Sequence, residues 1–442
     1  MLDRRKFLLG TCGSLASLMG LNRDLSFAQA ERPPWIHEGT LHIARFVMRG
    51  NKVLLYTVGD DVVCACWEMP SCKLVEKFKA PFLREGRLAE LGFMPEFIES
   101  PCRPSFAGGF AMGIFQGNLD PDVCFLHIER RRWYRVGQVY GIRPLIGCIA
   151  PDRLAYSVSD DENQGRLVIQ TAILRDDKLL PDKRCYLPIQ VGWPIYWDYR
   201  GDTLRLLYAG FGEKSFQEIR QKLQNKQLLD LEPEESSRLL KDIRISQKIY
   251  LATFNLQSNK FVESRLVYPS QEIERDLFDK RTEFSVSRGA YNPADKKLYV
   301  LTSRNYLVLS ADGLTVETEV PLTIRISILD KKDVPLTGYL SAVDTTGQYL
   351  AVPATGIGRV CVVNLSKRTL VLDDNTHETR VLRTFENVAF PFVPVQTAVL
   401  DMMFIPETPL LAMITGTGDL YLYNVEKGRL ERRVLLAQSF LK

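Results

Sequence analysis

The sequence predicts an all-β chain built as a circular array of repeated four-stranded units, and three observations predict it. Short runs of leucine, β-branched and aromatic residues are separated by Gly, Pro, Asp and Asn turns over nearly the whole chain after residue 40. One pattern recurs: a tight turn, a short apolar strand, a second turn, another apolar strand. Its spacing of about 45–60 residues suits four strands per unit.

The copies can be followed in order. Arg49-Gly50-Asn51-Lys52 precedes Val53-Leu54-Leu55-Tyr56, and Ala150-Pro151-Asp152-Arg153 precedes Leu154-Ala155-Tyr156. Arg200-Gly201-Asp202 opens the third and Asn292-Pro293-Ala294-Asp295-Lys296 the clearest one, ahead of Leu298-Tyr299-Val300. Asp344-Thr345-Thr346-Gly347 and Ile405-Pro406-Glu407-Thr408-Pro409 follow, and Phe106-Ala107-Gly108-Gly109-Phe110 is a weaker copy. Pro, Asp and Gly make the turns. Alternating Leu, Tyr and Val make strands that pack between neighbouring sheets.

On these residues the chain resembles the WD40-like and YVTN-type seven-bladed β-propeller superfamily. The resemblance implies seven blades of four-stranded antiparallel sheets, at roughly 41–82, 105–137, 146–189, 194–268, 289–322, 341–386 and 398–436. Eight blades or an irregular ring is the alternative count, and a two-sheet sandwich array the alternative architecture. The repeated Gly-His and Trp-Asp dipeptides of WD40 units are absent, Trp-Asp occurring at Trp197-Asp198 without recurring from unit to unit, and the tryptophan-docking repeats of quinoprotein dehydrogenases are absent too. The pattern therefore speaks to fold and not to activity. Within the fourth unit, Ser215-Phe216-Gln217-Glu218 is a capping box and Phe216, Ile219 and Leu223 recur at helical spacing. Pro233 and the face Leu239, Leu240, Ile243 predict a second helix, giving a helical insertion over about 213–247. Such an insertion serves either as a lid or docking arm, or as a decoration on the side of the ring.

The N-terminus carries an address. Arg4-Arg5-Lys6-Phe7-Leu8 is followed by an apolar stretch to about Leu21 and by Ala28-Gln29-Ala30, an A-x-A cleavage site. Arg4, Arg5, Phe7 and Leu8 resemble the twin-arginine signal family, with Asp3 and Leu9 departing from its flanking preferences. An ordinary secretory signal is the alternative. The resemblance implies folding in the cytoplasm, passage through the Tat translocase and a periplasmic or otherwise exported product. The domain expectation is a signal peptide at 1–30 and a single propeller domain at 31–442. The apolar stretch is too short for a comfortable membrane span of about 20 residues, and no stable span is expected in the mature chain.

Composition narrows the function classes. The formal charge of +4 comes from 57 basic and 53 acidic residues, so no nucleic-acid partner is expected. The nine cysteines are scattered in apolar runs without a C-x-x-C pair, which reads as small buried hydrophobes rather than a disulfide framework. The four histidines, His37, His42, His127 and His377, show no ligand spacing, so no metal site and no cofactor is expected. Oxygen-rich loops at Asn118-Leu119-Asp120-Pro121-Asp122 and Asp160-Asp161-Glu162-Asn163 read as hairpin tips. Arg130-Arg131-Arg132-Trp133-Tyr134-Arg135 reads as a solvated hairpin. The richest aromatic cluster, Gly192-Trp193-Pro194-Ile195-Tyr196-Trp197-Asp198-Tyr199, offers Trp193, Tyr196, Trp197 and Tyr199 as candidate ligand-binding residues, against packing between blades. The functional expectation is an exported non-catalytic binding module for a protein, peptide or glycan. The alternative is an exported propeller enzyme or subunit, of the kind seen in lactone hydrolases or amine dehydrogenase large subunits.

Overall fold

The computed structural model describes residues 30–79, 110–116, 122–127, 129–138, 146–150, 152–160, 166–186, 190–211, 248–268, 286–302, 305–322, 324–328, 331–336, 338–354, 358–385 and 398–438. The fold is an all-β propeller. Six four-stranded antiparallel sheets, each with its strands in chain order, form complete blades at 41–79, 146–186, 190–268, 290–321, 342–374 and 399–435. A three-stranded sheet of Phe110–Gln116, Asp122–His127 and Arg132–Gln138 follows the first blade along the chain. The described residues thus give six complete blades where the sequence reading expects seven.

The recurring turn has one place in this architecture. In every four-stranded blade it joins the first strand to the second: Leu41–Arg49 to Lys52–Gly59 in the first blade, Val399–Phe404 to Leu410–Thr415 in the last. Gly50, Gly201 and Gly347 take positive φ at that turn, a conformation that costs glycine little. First strands lie against first strands around the axis, as Leu41–Arg49 does beside Val399–Phe404.

Burial follows position within the blade. The third strands Val360–Asn364 and Asp419–Asn424 are buried along their whole length. Each blade is covered by a neighbour on both faces, so its middle strands read as continuous apolar runs. The fourth strand Lys73–Lys79 instead alternates exposed and partly buried residues at the rim. The core is accordingly a series of layers between blades. Leu55, Ala65 and Trp67 of the first blade pack on Ile414, Leu420 and Leu422 of the last, and Ala155 and Ile169 pack on Leu204 and Leu206.

The segment ahead of the first blade closes the ring. The strand His37–Glu38 pairs in parallel with Ala437–Gln438. The Glu31 N–H donates to the Arg433 carbonyl at 2.9 Å, and the Leu435 N–H donates back to the Glu31 carbonyl at 2.9 Å. Gly418 sits at this junction with φ +82°, where a Cβ would lie 2.3 Å from that of Ala437.

One helix is described, Thr376–Phe385, between the last two blades. Asp374 starts it by accepting the Thr376 N–H at 2.9 Å. The repeat pattern places this stretch inside a blade, and the helices predicted at 213–247 lie outside the described residues. Among the described residues no helix is long and apolar enough to cross a membrane.

Candidate functional site

The aromatic segment lies on the strand Gln190–Arg200. Tyr196 and Trp197 are adjacent and so point to opposite faces of the blade. Tyr196 packs with Leu298 and Val300 of the following blade and stacks on Tyr291, centroids 6.2 Å apart. Trp197 packs with Ala155, Ile169 and Cys185 of the preceding blade. Both are buried, whereas Tyr199 is half-buried at the edge of the same cluster. Trp193 stands on this strand opposite Ala209. The polar neighbours tie two blades together. Arg205 pairs with Asp198 and donates to the Ala311 carbonyl at 3.0 Å, and Arg200 reaches Asp312 at 2.7 Å.

The basic hairpin is joined to both of its neighbours. Arg131 Nε lies 2.8 Å from a Glu76 oxygen on the first blade, while Arg130 and Arg132 pair with Asp177 of the blade at 146–186. The loops at 117–121 and 161–165 lie outside the described residues. Cys64, Cys66, Cys72, Cys185 and Cys361 are free and buried. Burial pushes the thiols of Cys66 and Cys185 up to about 11. Among the described residues no three His, Cys, Asp or Glu side chains gather where they could hold one metal ion.

The histidines are brought to partners that spacing did not reveal. In the first blade His37 Nδ1 lies 3.0 Å from Asp61 Oδ1, and His37 Nε2 lies 2.8 Å from Thr57 Oγ1. The Trp67 Nε1–H donates to the same hydroxyl at 2.9 Å. A ring protonated on Nδ1 satisfies the whole line: indole N–H to hydroxyl, hydroxyl to imidazole, imidazole N–H to carboxylate. A carboxylate–imidazole–hydroxyl line is also the layout of nucleophilic catalysis. Here the hydroxyl is sealed, since His37, Thr57 and Trp67 are all 0% exposed. No substrate atom reaches Thr57, so the line holds the blade to the closing segment. His42 pairs in the same way with Asp60 of the same turn. Burial raises the Asp60 carboxyl, but the His42 contact and the Thr40 N–H outweigh it and hold it below its ordinary value.

The last blade repeats the arrangement with different chemistry. His377, on the short helix, lies 3.2 Å from the Tyr421 hydroxyl. Gly358 makes room for it: at φ +93°, a Cβ there would lie 2.5 Å from His377 Cδ2. Asp419, fully buried, receives Arg433 Nε at 2.8 Å and the Thr417 hydroxyl at 2.6 Å, and pairs with Arg380.

A polar group near the axis was not singled out from the sequence. Arg45, on the first strand of the first blade, is buried with its Nη1 3.7 Å from Oδ1 of the buried Asp401, on the first strand of the last blade. Asp401 also accepts the Phe46 N–H at 2.8 Å and the Met402 N–H at 2.9 Å. Arg288 lies within electrostatic reach of Arg45 and Asp401. Its N–H donates to the Tyr339 carbonyl at 3.2 Å and its carbonyl accepts the Ser341 hydroxyl. The Tyr339 hydroxyl in turn donates to the Val399 carbonyl at 2.7 Å. Burial, and then the charge of Arg45, push the Arg288 guanidinium down to about 10. The available sequence signal was a charged residue amid apolar neighbours on a first strand, Ala44-Arg45-Phe46 and Leu400-Asp401-Met402.

No protein-family model matches the chain, and no curated protein matches it. Solved structures of similar shape include Sqt1 of Saccharomyces cerevisiae, at 10% identity and a TM-score of 0.46, covering 91% of this chain and 87% of that one. The Swd1 β-propeller domain of Myceliophteria thermophila aligns at 12% identity and a TM-score of 0.44, covering 88% and 98%. Hydrazine synthase of Kuenenia stuttgartiensis aligns at 12% and 0.41, covering 90% and 97%. At these values the propeller assignment rests on the chain's own sheets, and none of the three says what this chain does.

Proposed function

We propose that this protein is an exported, non-catalytic propeller that binds a protein, peptide or glycan partner. The observation that carries the reading is where the histidines go. The carboxylate–imidazole–hydroxyl line of His37 is sealed between the first blade and the closing segment, and His377, on the short helix, is fully buried. These groups brace the ring, which leaves the blade ends and edges as the working surface.

The ring is read as seven-bladed. The recurring turn Phe106-Ala107-Gly108-Gly109 comes just before Phe110–Gln116, as it comes before the second strand of every complete blade. The pairs of Arg131 with Glu76 and of Arg130 and Arg132 with Asp177 support a seat between the first blade and that at 146–186. Export by the Tat translocase is read from Arg4, Arg5, Phe7 and Leu8. Cleavage after Ala30 would make Glu31, the first residue paired to the last blade, the first residue of the mature chain.

Within the aromatic segment we read Tyr199 as the ligand-binding residue, since it is half-buried whereas Tyr196 and Trp197 are buried between blades. The test compares two variants in capture from the exported fraction. Tyr199→Ala is expected to lose the partner at an unchanged denaturation midpoint, whereas Trp197→Ala is expected to lose about 3–5 kcal/mol of stability. Equal capture by wild type and Tyr199→Ala removes this segment from the binding surface. A stoichiometric metal or chromophore in the exported protein overturns the non-catalytic reading.

A further inference from the structure

We propose that the outer strand Lys260–Tyr268 pairs antiparallel with the same strand of a second copy of this chain, about a two-fold axis at Ser264. Among the described residues the exposed large hydrophobic side chains, Val75, Leu180, Tyr186, Val262 and Leu266, all lie on fourth strands. A fourth strand bonds to a neighbour in its sheet on one side only, and such an edge invites a further strand. Two of the three strands are blunted. Lys73, Lys77 and Lys79 stand exposed around Val75. Pro181, which has no N–H to give, lies on the strand of Leu180 and Tyr186. Lys260–Tyr268 has no proline, and its lysine is at the first position. It carries Val262, 58% exposed, and Leu266, 44% exposed.

The charges of the strand choose the register. Identical antiparallel strands about a two-fold axis set one residue opposite itself, and its neighbours cross over in reciprocal pairs. An axis at Glu263 or at Arg265 sets like charges opposite, which is destabilising. An axis at Val262 sets Glu263 against Phe261, and one at Leu266 sets Arg265 against Val267. An axis at Ser264 sets Glu263 against Arg265 of the second copy, twice over. One residue further out, Val262 then faces Leu266 at each end of the contact. Both exposed apolar side chains of each copy are covered by the same register that matches the charges. Glu263 is exposed, and Arg265 donates from Nη2 to the Gly313 carbonyl. A guanidinium has five N–H donors, so that bond is compatible with a second one to Glu263. The ladder with Lys248–Asn255 is regular from Glu263 to Leu266 and shifts register on either side. The new pairing is therefore short, and a short contact makes a weak, reversible dimer. It depends neither on export nor on Tyr199.

The experiment is sedimentation velocity on the full chain, where a monomer–dimer shift is expected between about 1 and about 100 μM. Glu263→Arg sets like charges opposite in both reciprocal pairs and is expected to weaken the dimer about tenfold or more. Ser264→Cys places a thiol opposite its own copy, with Cα atoms about 4.5–5.5 Å apart and within disulfide reach. Mild oxidation is expected to cross-link that variant. Lys260→Cys, which would face Tyr268 and stand about 27 Å from its own copy, is not expected to cross-link. Should Glu263→Arg not fold, the two cysteine variants still decide. A chain that stays monomeric up to about 100 μM overturns the proposal. So does a dimer that Glu263→Arg leaves unchanged, or one that Ser264→Cys cross-links no better than Lys260→Cys.

Discussion

The first and last blades each combine a buried histidine with a threonine, an aspartate and an aromatic residue drawn from corresponding places, yet they hold them by different forces. In both, the histidine comes from the segment before the first strand. A threonine comes from the second strand (Thr57, Thr415), an aspartate from the second-to-third turn or just after it (Asp61, Asp419), and an aromatic from the third strand (Trp67, Tyr421). The first blade runs an unbroken hydrogen-bond line through Trp67, Thr57, His37 and Asp61. In the last blade the aspartate pairs with Arg380 and Arg433. A hydrogen-bonded line and an ion cluster can thus fill the same seam. They differ in what happens when a member is removed, because a buried charge left unpaired costs more than a lost neutral hydrogen bond.

The largest effect is expected at Asp419. Asp419→Asn keeps the shape and removes the charge that balances two arginines, each less than one-fifth exposed. A loss of about 3–5 kcal/mol is expected in urea denaturation. Thr57→Val should cost less, about 2 kcal/mol, because it leaves the Trp67 N–H and His37 Nε2 without a bond but strands no charge. Equal losses in the two variants would break the distinction. A Thr57→Ser protein close to wild type would sharpen it by showing that the hydroxyl itself carries the line.

The same contrast explains what the sequence could show. Six blades were legible because each is local: turn, strand, turn, strand, with the punctuation residues in order. The His37 line was not, because His37 lies 20 and 24 residues from Thr57 and Asp61 and shares no adjacent dipeptide with them. Asp419 and Arg433 sit in a visible run, but Arg380 comes from a helix that had been read as part of a blade. The aromatic segment was visible as composition and its burial was not. Alternation along Gln190–Arg200 assigns Tyr196 and Trp197 to opposite faces, and in a propeller both faces are covered. The axial group was least legible, since Arg45 and Asp401 stand at opposite ends of the chain and meet only because the ring closes.

The smallest effect lies at the closing seam itself. Glu31 and Arg432 form a bidentate pair, 2.8 and 2.6 Å, at the surface. The hydrogen bond from Arg432 holds the Glu31 carboxyl below its ordinary value. A depressed carboxyl stabilises the folded chain above its unfolded value near pH 4.3, and that contribution fades as pH falls through the lower folded value. Because the pair is solvated, Glu31→Gln should cost under about 1 kcal/mol at neutral pH and nothing once wild-type Glu31 is protonated. Denaturation midpoints of the two proteins should therefore converge below about pH 4 and separate above about pH 5. The backbone bonds of Glu31 with Arg433 and Leu435 survive the substitution. A loss of several kcal/mol, or one that does not vary with pH, would show that the carboxylate does more than pair with Arg432. The outermost contact of the seam would then rank with the buried clusters of the first and last blades.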